Sequence, residues 1–83
     1  MSAYPQPGDT GIAGHVLWVN GVTGSGEVSA NALDYPPTAT YVPDPLRFAF
    51  QRMYTFTLSP GQAITFDVVQ GTDAAYADNV QPA

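Results

Sequence analysis

The sequence predicts a small all-β domain, and three observations support this fold class. Apolar and polar residues alternate over residues 46–58 and over residues 63–69, with the two-residue period of a strand. Glycine and proline clusters, which are typical of turns, separate the apolar segments. No segment shows helical spacing with caps over several turns. About five short strands of this kind predict an antiparallel barrel, which leaves no exposed sheet edges because it closes on itself.

The first third of the chain predicts an arm and a hairpin. Residues 1–11 contain two prolines and two glycines without an apolar period, so we expect a flexible N-terminal arm. Residues 12–20 are rich in β-branched and aromatic side chains and predict the first strand. The pair Asn20-Gly21 is typical of a tight turn with positive φ angles. A second strand over residues 24–30 completes the hairpin.

A proline-rich loop and three more strands complete a single domain that begins at residue 12. Residues 31–45 hold four of the eight prolines, which excludes helix and predicts a long loop. The alternation over residues 46–58 predicts either one long bent strand or two strands with an irregular junction near Arg52. Residues 63–69 and 75–80 predict the last two strands, each preceded by a glycine-containing turn.

Composition limits the functions that are open to this chain. It has 83 residues and no cysteine, which excludes disulfides, thiolate metal sites and a thiol nucleophile. Seven acidic residues against two arginines and no lysine give a net charge of −5, which repels nucleic-acid phosphates and anionic membranes. No apolar stretch approaches the roughly 20 residues that cross a bilayer, and no signal-like segment begins the chain. We therefore expect a soluble cytoplasmic protein.

Four blocks of residues resemble the bacterial cold-shock proteins, which are five-stranded OB-type barrels that bind single-stranded nucleic acid. Residues 14–20, Gly-His-Val-Leu-Trp-Val-Asn, are similar to the family opening Gly-x-Val-Lys-Trp-Phe-Asn. Residues 24–28 are similar to the following Gly-Phe-Gly-Phe-Ile. Residues 58–71 resemble Leu-x-x-Gly-Gln-x-Val-x-Phe-x-Val-x-x-Gly, and residues 77–80 resemble the closing Ala-x-Asn-Val. The resemblance implies an OB-like antiparallel barrel of the cold-shock type.

The sequence departs from the family at the residues that stack on bases. In the family, the first motif is Lys-Gly-Phe-Gly-Phe, whose rings lie outward on the sheet. Thr23, Ser25 and Glu27 occupy the positions of its lysine and its two phenylalanines. Trp18 remains as an aromatic platform of the expected kind, with a partly buried core ring as the alternative interpretation.

The second family motif, Val-Phe-Val-His, aligns with residues 48–51. Ala49 and Gln51 then replace the outward phenylalanine and histidine. Stacking of one base on an aromatic ring contributes about 1–3 kcal/mol, so the loss of several rings removes much of a micromolar affinity, which is about 8 kcal/mol. The resemblance therefore implies a preserved barrel with weak or lost binding of single strands.

The candidate binding surface combines this strand face with the proline-rich loop. Tyr35 and Tyr41 lie in a stiff loop segment, which loses little entropy when it binds a partner; alternatively, they fold over the core. Arg47 and Arg52 are the two cations of the chain. The candidate residues for a protein partner or for residual nucleic acid are Trp18, Ser25, Glu27, Tyr35, Tyr41, Ala49, Gln51 and Arg52.

The sequence predicts no catalytic site, metal site or cofactor. His15 is the single histidine, and we expect it to face solvent on the first strand. The aspartates are scattered without the spacing of a calcium loop. An enzyme is therefore the least favoured class, because no nucleophile, base or ligand cluster converges.

Three functions stay open at this point. The preferred hypothesis is a cold-shock-like adaptor or regulator that binds protein through Trp18, the strand around Glu27 and the tyrosine-containing loop. The alternative is a single-stranded DNA- or RNA-binding protein that uses a rearranged face with Trp18, Tyr35, Tyr41 and the two arginines. The third is a structural subunit of a larger particle or of a symmetric oligomer.

Overall fold

The computed structural model describes residues 4–32, 41–51 and 57–83. Its strands are β1 (Ile12–Val19), β2 (Ser25–Ala30), β3 (Arg47–Gln51), β4 (Ala63–Gln70) and β5 (Ala75–Pro82). The one helical element within these ranges is a 3-10 turn at Asp44–Leu46. The prediction of an all-β fold with five antiparallel strands is therefore confirmed.

The five strands form one sheet in the order β3-β2-β1-β4-β5. Each strand pairs with its neighbours in antiparallel fashion. The two end strands of this order, β3 and β5, approach each other, with Cα atoms of the two strands within 8 Å. The sheet is therefore strongly curved, and its inner face encloses the core.

The inner face of the sheet supplies most of the core. The two-residue alternation holds in β3 and β4, where every second side chain is buried. Phe48 and Phe66 meet inside with ring centroids 5.5 Å apart. The buried apolar residues are Val16, Val28, Ala30, Leu46, Phe48, Phe50, Leu58, Ile64, Phe66, Val68, Ala77 and Val80.

A β-bulge in β1 determines which way the tryptophan points. Val16 pairs with Val28, but Trp18 pairs with Glu27, so that Leu17 is the extra residue of β1. Such a bulge shifts the following side chains to the other face of the strand. Val16 is consequently buried in the core, whereas Trp18 is 46% exposed on the outer face.

The turn between β1 and β2 differs from the prediction that Asn20-Gly21 supplies the positive φ angles. The positive φ in this connection belongs to Gly24, at 76°. The Asn20 side chain instead accepts hydrogen bonds from the backbone N–H groups of Val22 and Thr23, at 2.9 and 3.3 Å. Asn20 therefore initiates the turn through its side chain, and the glycine that needs the left-handed conformation comes four residues later.

Of residues 46–58, for which one bent strand or two strands are predicted, the structure describes one strand, β3. β3 begins at Arg47 because Leu46 closes the 3-10 turn, with its N–H donating to the carbonyl of Pro43 at 3.0 Å. Residues 57–59 are not part of a strand, although Leu58 is buried. The predicted junction at Arg52 lies outside the described residues, as do residues 33–40 of the proline-rich loop.

The N-terminal segment runs along β4 from Gly8 onward. The N–H of Gly8 donates to the carbonyl of Val68, and the N–H of Val68 donates to the carbonyl of Asp9, both at 2.9 Å. The N–H of Gly11 donates to the Asp67 carboxylate at 3.0 Å. These bonds attach the second half of the predicted arm to the sheet, while its flexibility stays a prediction.

A second bulge places Asn79 in the left-handed region, with φ at 51°. Asp67 pairs with Asp78 and Thr65 with Gln81, so β5 has one residue more than β4 between these pairs. The left-handed conformation costs most non-glycine residues about 1–2 kcal/mol, and asparagine tolerates it better. The Asn79 side chain also donates to the Asp67 carboxylate at 3.3 Å.

We expect Asn79→Ala to lower the free energy of unfolding by about 1–2 kcal/mol, because alanine has the strain of this φ and no side-chain hydrogen bond. Asn79→Gly should cost less, since glycine adopts this φ without strain. Urea unfolding of the three proteins measures both effects. Equal losses in the two variants would show that the side-chain contacts, and not the backbone conformation, account for the stability.

Candidate binding face

The strand register brings five of the predicted binding residues onto one surface. Trp18 of β1 lies opposite Glu27 of β2, which lies opposite Ala49 of β3. Ser25 lies opposite Gln51 one row away. Directly opposed residues of antiparallel strands share a face of the sheet. We call this surface the outer face; its residues are Trp18, Ser25, Glu27, Arg47, Ala49 and Gln51.

One carboxylate oxygen at the centre of the outer face connects three strands. Glu27 Oε1 accepts a hydrogen bond from Trp18 Nε1 at 2.8 Å and another from Arg47 Nη2 at 3.0 Å. The second guanidinium nitrogen, Nη1, lies 4.0 Å from the Asp44 carboxylate. Glu27 therefore fixes the orientation of the exposed indole and neutralises the arginine next to it.

These contacts hold the pKa of the Glu27 carboxyl below its ordinary value of 4.5. The hydrogen bond from Trp18 is the largest cause; the hydrogen bond and positive charge of Arg47 act in the same direction, and partial burial opposes them. Because the folded-state pKa is lower than the unfolded-state value, the contacts stabilise the fold above pH 4.5. That contribution is lost as the pH falls through the folded-state pKa.

The Trp18 indole N–H proton should report this ionisation directly. We expect its NMR chemical shift to titrate with a midpoint below pH 4.5, because protonation of Glu27 weakens the hydrogen bond that the indole donates. Glu27→Gln keeps an acceptor oxygen without an ionisable group, so its indole resonance should lack that transition. A wild-type midpoint at or above 4.5 would contradict the assigned contacts.

The remaining outer-face residues are small or uncharged. The Ser25 hydroxyl lies 2.7 Å from the Thr23 hydroxyl, and Ala49 and Gln51 are exposed. Ala49 contributes only a methyl group opposite Glu27. The face thus offers one large ring, one partly buried carboxylate and small or uncharged polar side chains. None of its six residues is an unpaired cation.

The other predicted binding residues have different locations. Tyr41 is 67% exposed but precedes the 3-10 turn, and no strand pairing places it on the outer face. Tyr35 and Arg52 lie outside the described residues. Arg47 was predicted to bind only in the nucleic-acid alternative, although it shares the outward alternation of Ala49 and Gln51; that alternation was the available signal for its place on the outer face.

The prediction that His15 faces solvent is wrong, because the residue is only 4% exposed. It lies opposite Ser29, which is fully buried, and its Nδ1 is 2.9 Å from the side-chain oxygen of Asn31. We call the part of the outer face around Trp18 its open end, because Trp18 is exposed whereas His15 and Ser29 are buried.

Comparison with protein-family models, with curated proteins and with solved structures gives no match. The cold-shock resemblance consequently stays a prediction from the quoted residues. Within the described ranges, the structure contains no group of three side chains that could hold a metal ion. The same ranges contain no helix with the length and apolarity required to cross a bilayer. The predicted cytoplasmic location is not tested by these findings.

Proposed function

We propose that this chain is a non-catalytic binding module that contacts a protein partner through the open end of the outer face. The observation that carries the proposal is the position of the Glu27 carboxylate between Trp18 and Arg47. It holds a large ring exposed in a fixed orientation, and rigid tryptophans are frequent hot spots of protein interfaces. A fixed ring loses little rotamer entropy on binding, which favours association.

The charges of the same face disfavour nucleic acid. Arg47 is paired with Glu27 and lies near Asp44, so its charge is already compensated. A phosphate chain that approached Trp18 would meet the Glu27 carboxylate and a net charge of −5. Counterion release, which supplies most of the non-specific affinity for nucleic acid, is therefore small here. Binding to a protein surface does not depend on counterion release.

We also propose that the curved sheet closes into a barrel of the OB type. The order β3-β2-β1-β4-β5 leaves β3 and β5 as the ends of the sheet, and their Cα atoms approach within 8 Å. Closure between these strands would remove both edges, as in OB-fold barrels. We expect cross-strand NOEs between backbone protons of β3 and β5. If these NOEs are absent, the sheet is open and the proposed closure is wrong.

Site-specific photo-crosslinking tests the class of partner. The photoreactive amino acid benzoylphenylalanine replaces Ser25 of the outer face in one protein, so that Trp18 and Glu27 stay in place, and Ala13 in a control, since Ala13 is exposed on β1 but opposite β4. After irradiation in cells of the source organism, we expect an adduct at position 25 that protease destroys and nuclease leaves intact. Adducts of equal yield at both positions, or none at position 25, would contradict the proposal.

Single-stranded DNA or RNA is the second candidate, and the exposure of Trp18 favours it. The indole is 46% exposed, which is enough surface for one base to stack on. In the crosslinking experiment this alternative predicts an adduct at position 25 that nuclease destroys. That result would identify nucleic acid, and not a protein, as the partner, while the location of the binding site would stay the same.

A further inference from the structure

The turn between β1 and β2 contains an asparagine-glycine pair that the proposed function does not use. Asn20 and Gly21 are both exposed, as are the two residues that follow them. Asparagine is a chemically labile residue, because the backbone nitrogen of the next residue can attack its side-chain amide carbon. We infer that Asn20 is a self-modification site, at which the chain converts this amide to aspartate and isoaspartate and thereby loosens the turn. This inference does not depend on the proposed protein-binding function.

The reaction needs only the chain and water. The Gly21 nitrogen gives its proton to solvent and forms a bond to Cγ of Asn20, while the bond between Cγ and Nδ2 breaks and the amide takes up a proton and leaves as ammonia. The product is a five-membered succinimide ring. Water then adds to one of the two ring carbonyls and opens the ring, which leaves either aspartate or isoaspartate. Since both reacting groups belong to adjacent residues, the attack is intramolecular and loses little entropy.

The folded turn activates the amide carbon that is attacked. Asn20 Oδ1 accepts hydrogen bonds from the backbone N–H groups of Val22 at 2.9 Å and of Thr23 at 3.3 Å. This oxygen becomes negatively charged when a nucleophile adds to Cγ, and backbone donors that point at a developing oxyanion lower the barrier of such a step. The same bonds also hold the side chain in one orientation. The fold therefore favours the reaction at this amide.

The attacking nitrogen is accessible as well. Among the described residues, none accepts a hydrogen bond from the N–H of Gly21. Glycine has no side chain that shields its own nitrogen, and no heavy atom lies within 4 Å of a Cβ built on Gly21. Solvent can therefore reach this nitrogen to remove its proton, and water can reach the ring that forms.

The chain has two other asparagines, and neither combines these features. Asn79 precedes Val80, which is fully buried and whose branched side chain shields its nitrogen. Asn31 precedes an alanine, and its Oδ1 lies 2.9 Å from Nδ1 of the buried His15. These two asparagines are internal controls for the reaction at Asn20.

The conversion changes the backbone between the two hydrogen bonds that close the turn. The N–H of Asn20 donates to the carbonyl of Ser25 at 2.7 Å, and the carbonyl of Asn20 accepts from the N–H of Gly24 at 2.8 Å. In isoaspartate the chain runs through Cβ and Cγ, which adds one backbone atom and turns the former carbonyl into a carboxylate. We expect the turn to loosen as a result, two residues after Trp18 on the outer face.

Ageing of the purified protein in mildly alkaline buffer, followed by peptide mapping with mass spectrometry, measures the conversion at each asparagine. Asn20 should convert at least about tenfold faster than Asn31 and Asn79, and Gly21→Ala should slow its conversion about tenfold, because a Cβ shields the attacking nitrogen. In heavy-oxygen water, the product should contain the heavy isotope, since water opens the ring. Equal rates at the three asparagines, or an unchanged rate in Gly21→Ala, would overturn the inference.

Two further comparisons test the contribution of the fold and the effect on the turn. Asn20 should convert at least as fast in the native protein as in urea, because its Oδ1 accepts the two backbone bonds only in the folded turn. A native rate well below the unfolded rate would show that the turn protects Asn20, and would overturn the inference. Aged protein that contains isoaspartate should unfold at a lower urea concentration than fresh wild type and than Asn20→Asp, which has the normal backbone. Equal midpoints would contradict the loosening of the turn.

Discussion

Replacing Gly26 with alanine is expected to lower the free energy of unfolding by about 3 kcal/mol, because the inner side of β2 has no room for a methyl group. A Cβ at this position would lie 2.3 Å from the backbone oxygen of Trp18 and 2.7 Å from Cζ of Phe50. The backbone of Trp18 is fixed by strand pairing and cannot move aside as the end of a flexible side chain can. An 83-residue domain has a total stability of roughly 4–12 kcal/mol, so the loss is a large share of it.

Gly21→Ala is the matched control, because no heavy atom lies within 4 Å of a Cβ built there. Gly14→Ala is an independent repeat of the effect, since its Cβ would lie 2.3 Å from the backbone oxygen of Ser29. Chemical unfolding monitored by Trp18 fluorescence measures all three variants. Similar stabilities of Gly26→Ala and Gly21→Ala would show that β1, β2 and β3 do not approach as closely as described.

Phe66→Ala should destabilise the protein by about 3–5 kcal/mol, a large share of the roughly 4–12 kcal/mol expected for a domain of this size. Phe66 is fully buried at the centre of β4 and packs against Phe48 with centroids 5.5 Å apart. Its loss removes apolar contacts and leaves a cavity that neighbouring strands fill only in part, because their backbones are fixed by the sheet.

The conservative variant Phe66→Leu should lose clearly less stability, since it retains most of the buried apolar volume. Thermal unfolding followed by circular dichroism compares both variants with the wild type. A stability change below about 1 kcal/mol for Phe66→Ala would be typical of a surface site and would contradict the described core.

The sequence predicts the inner and outer faces of β3 and β4 because their alternation is uninterrupted. The same rule fails in β1, where strict alternation places Val16 and Trp18 on one face. The extra residue at Leu17 separates them, and a bulge depends on pairing with β2, which alternation within one strand does not show. The outward position of Trp18 was predicted from the resemblance to the cold-shock proteins and not from the alternation of residues in β1.

The contact between Glu27 and Arg47 shows a second limit of sequence reasoning. Both residues have outward positions that their strands predict, but 16 residues, which include the proline-rich loop, lie between the end of β2 and the start of β3. The loop hides the register that brings the two side chains within 3.0 Å. His15 shows the same limit, since its outward alternation is correct while its burial depends on how the chain covers that end of the sheet.

A titration of the wild-type protein with oligothymidine at low salt tests the central claim most directly. Trp18 is the only tryptophan, so its fluorescence reports occupation of the open end of the outer face. With the Glu27 carboxylate held against the indole N–H and the neighbouring guanidinium, we predict unchanged fluorescence and no saturable binding at micromolar concentrations. Quenching of Trp18 with a micromolar or tighter dissociation constant that salt weakens would contradict the account and identify the face as a site for unpaired bases.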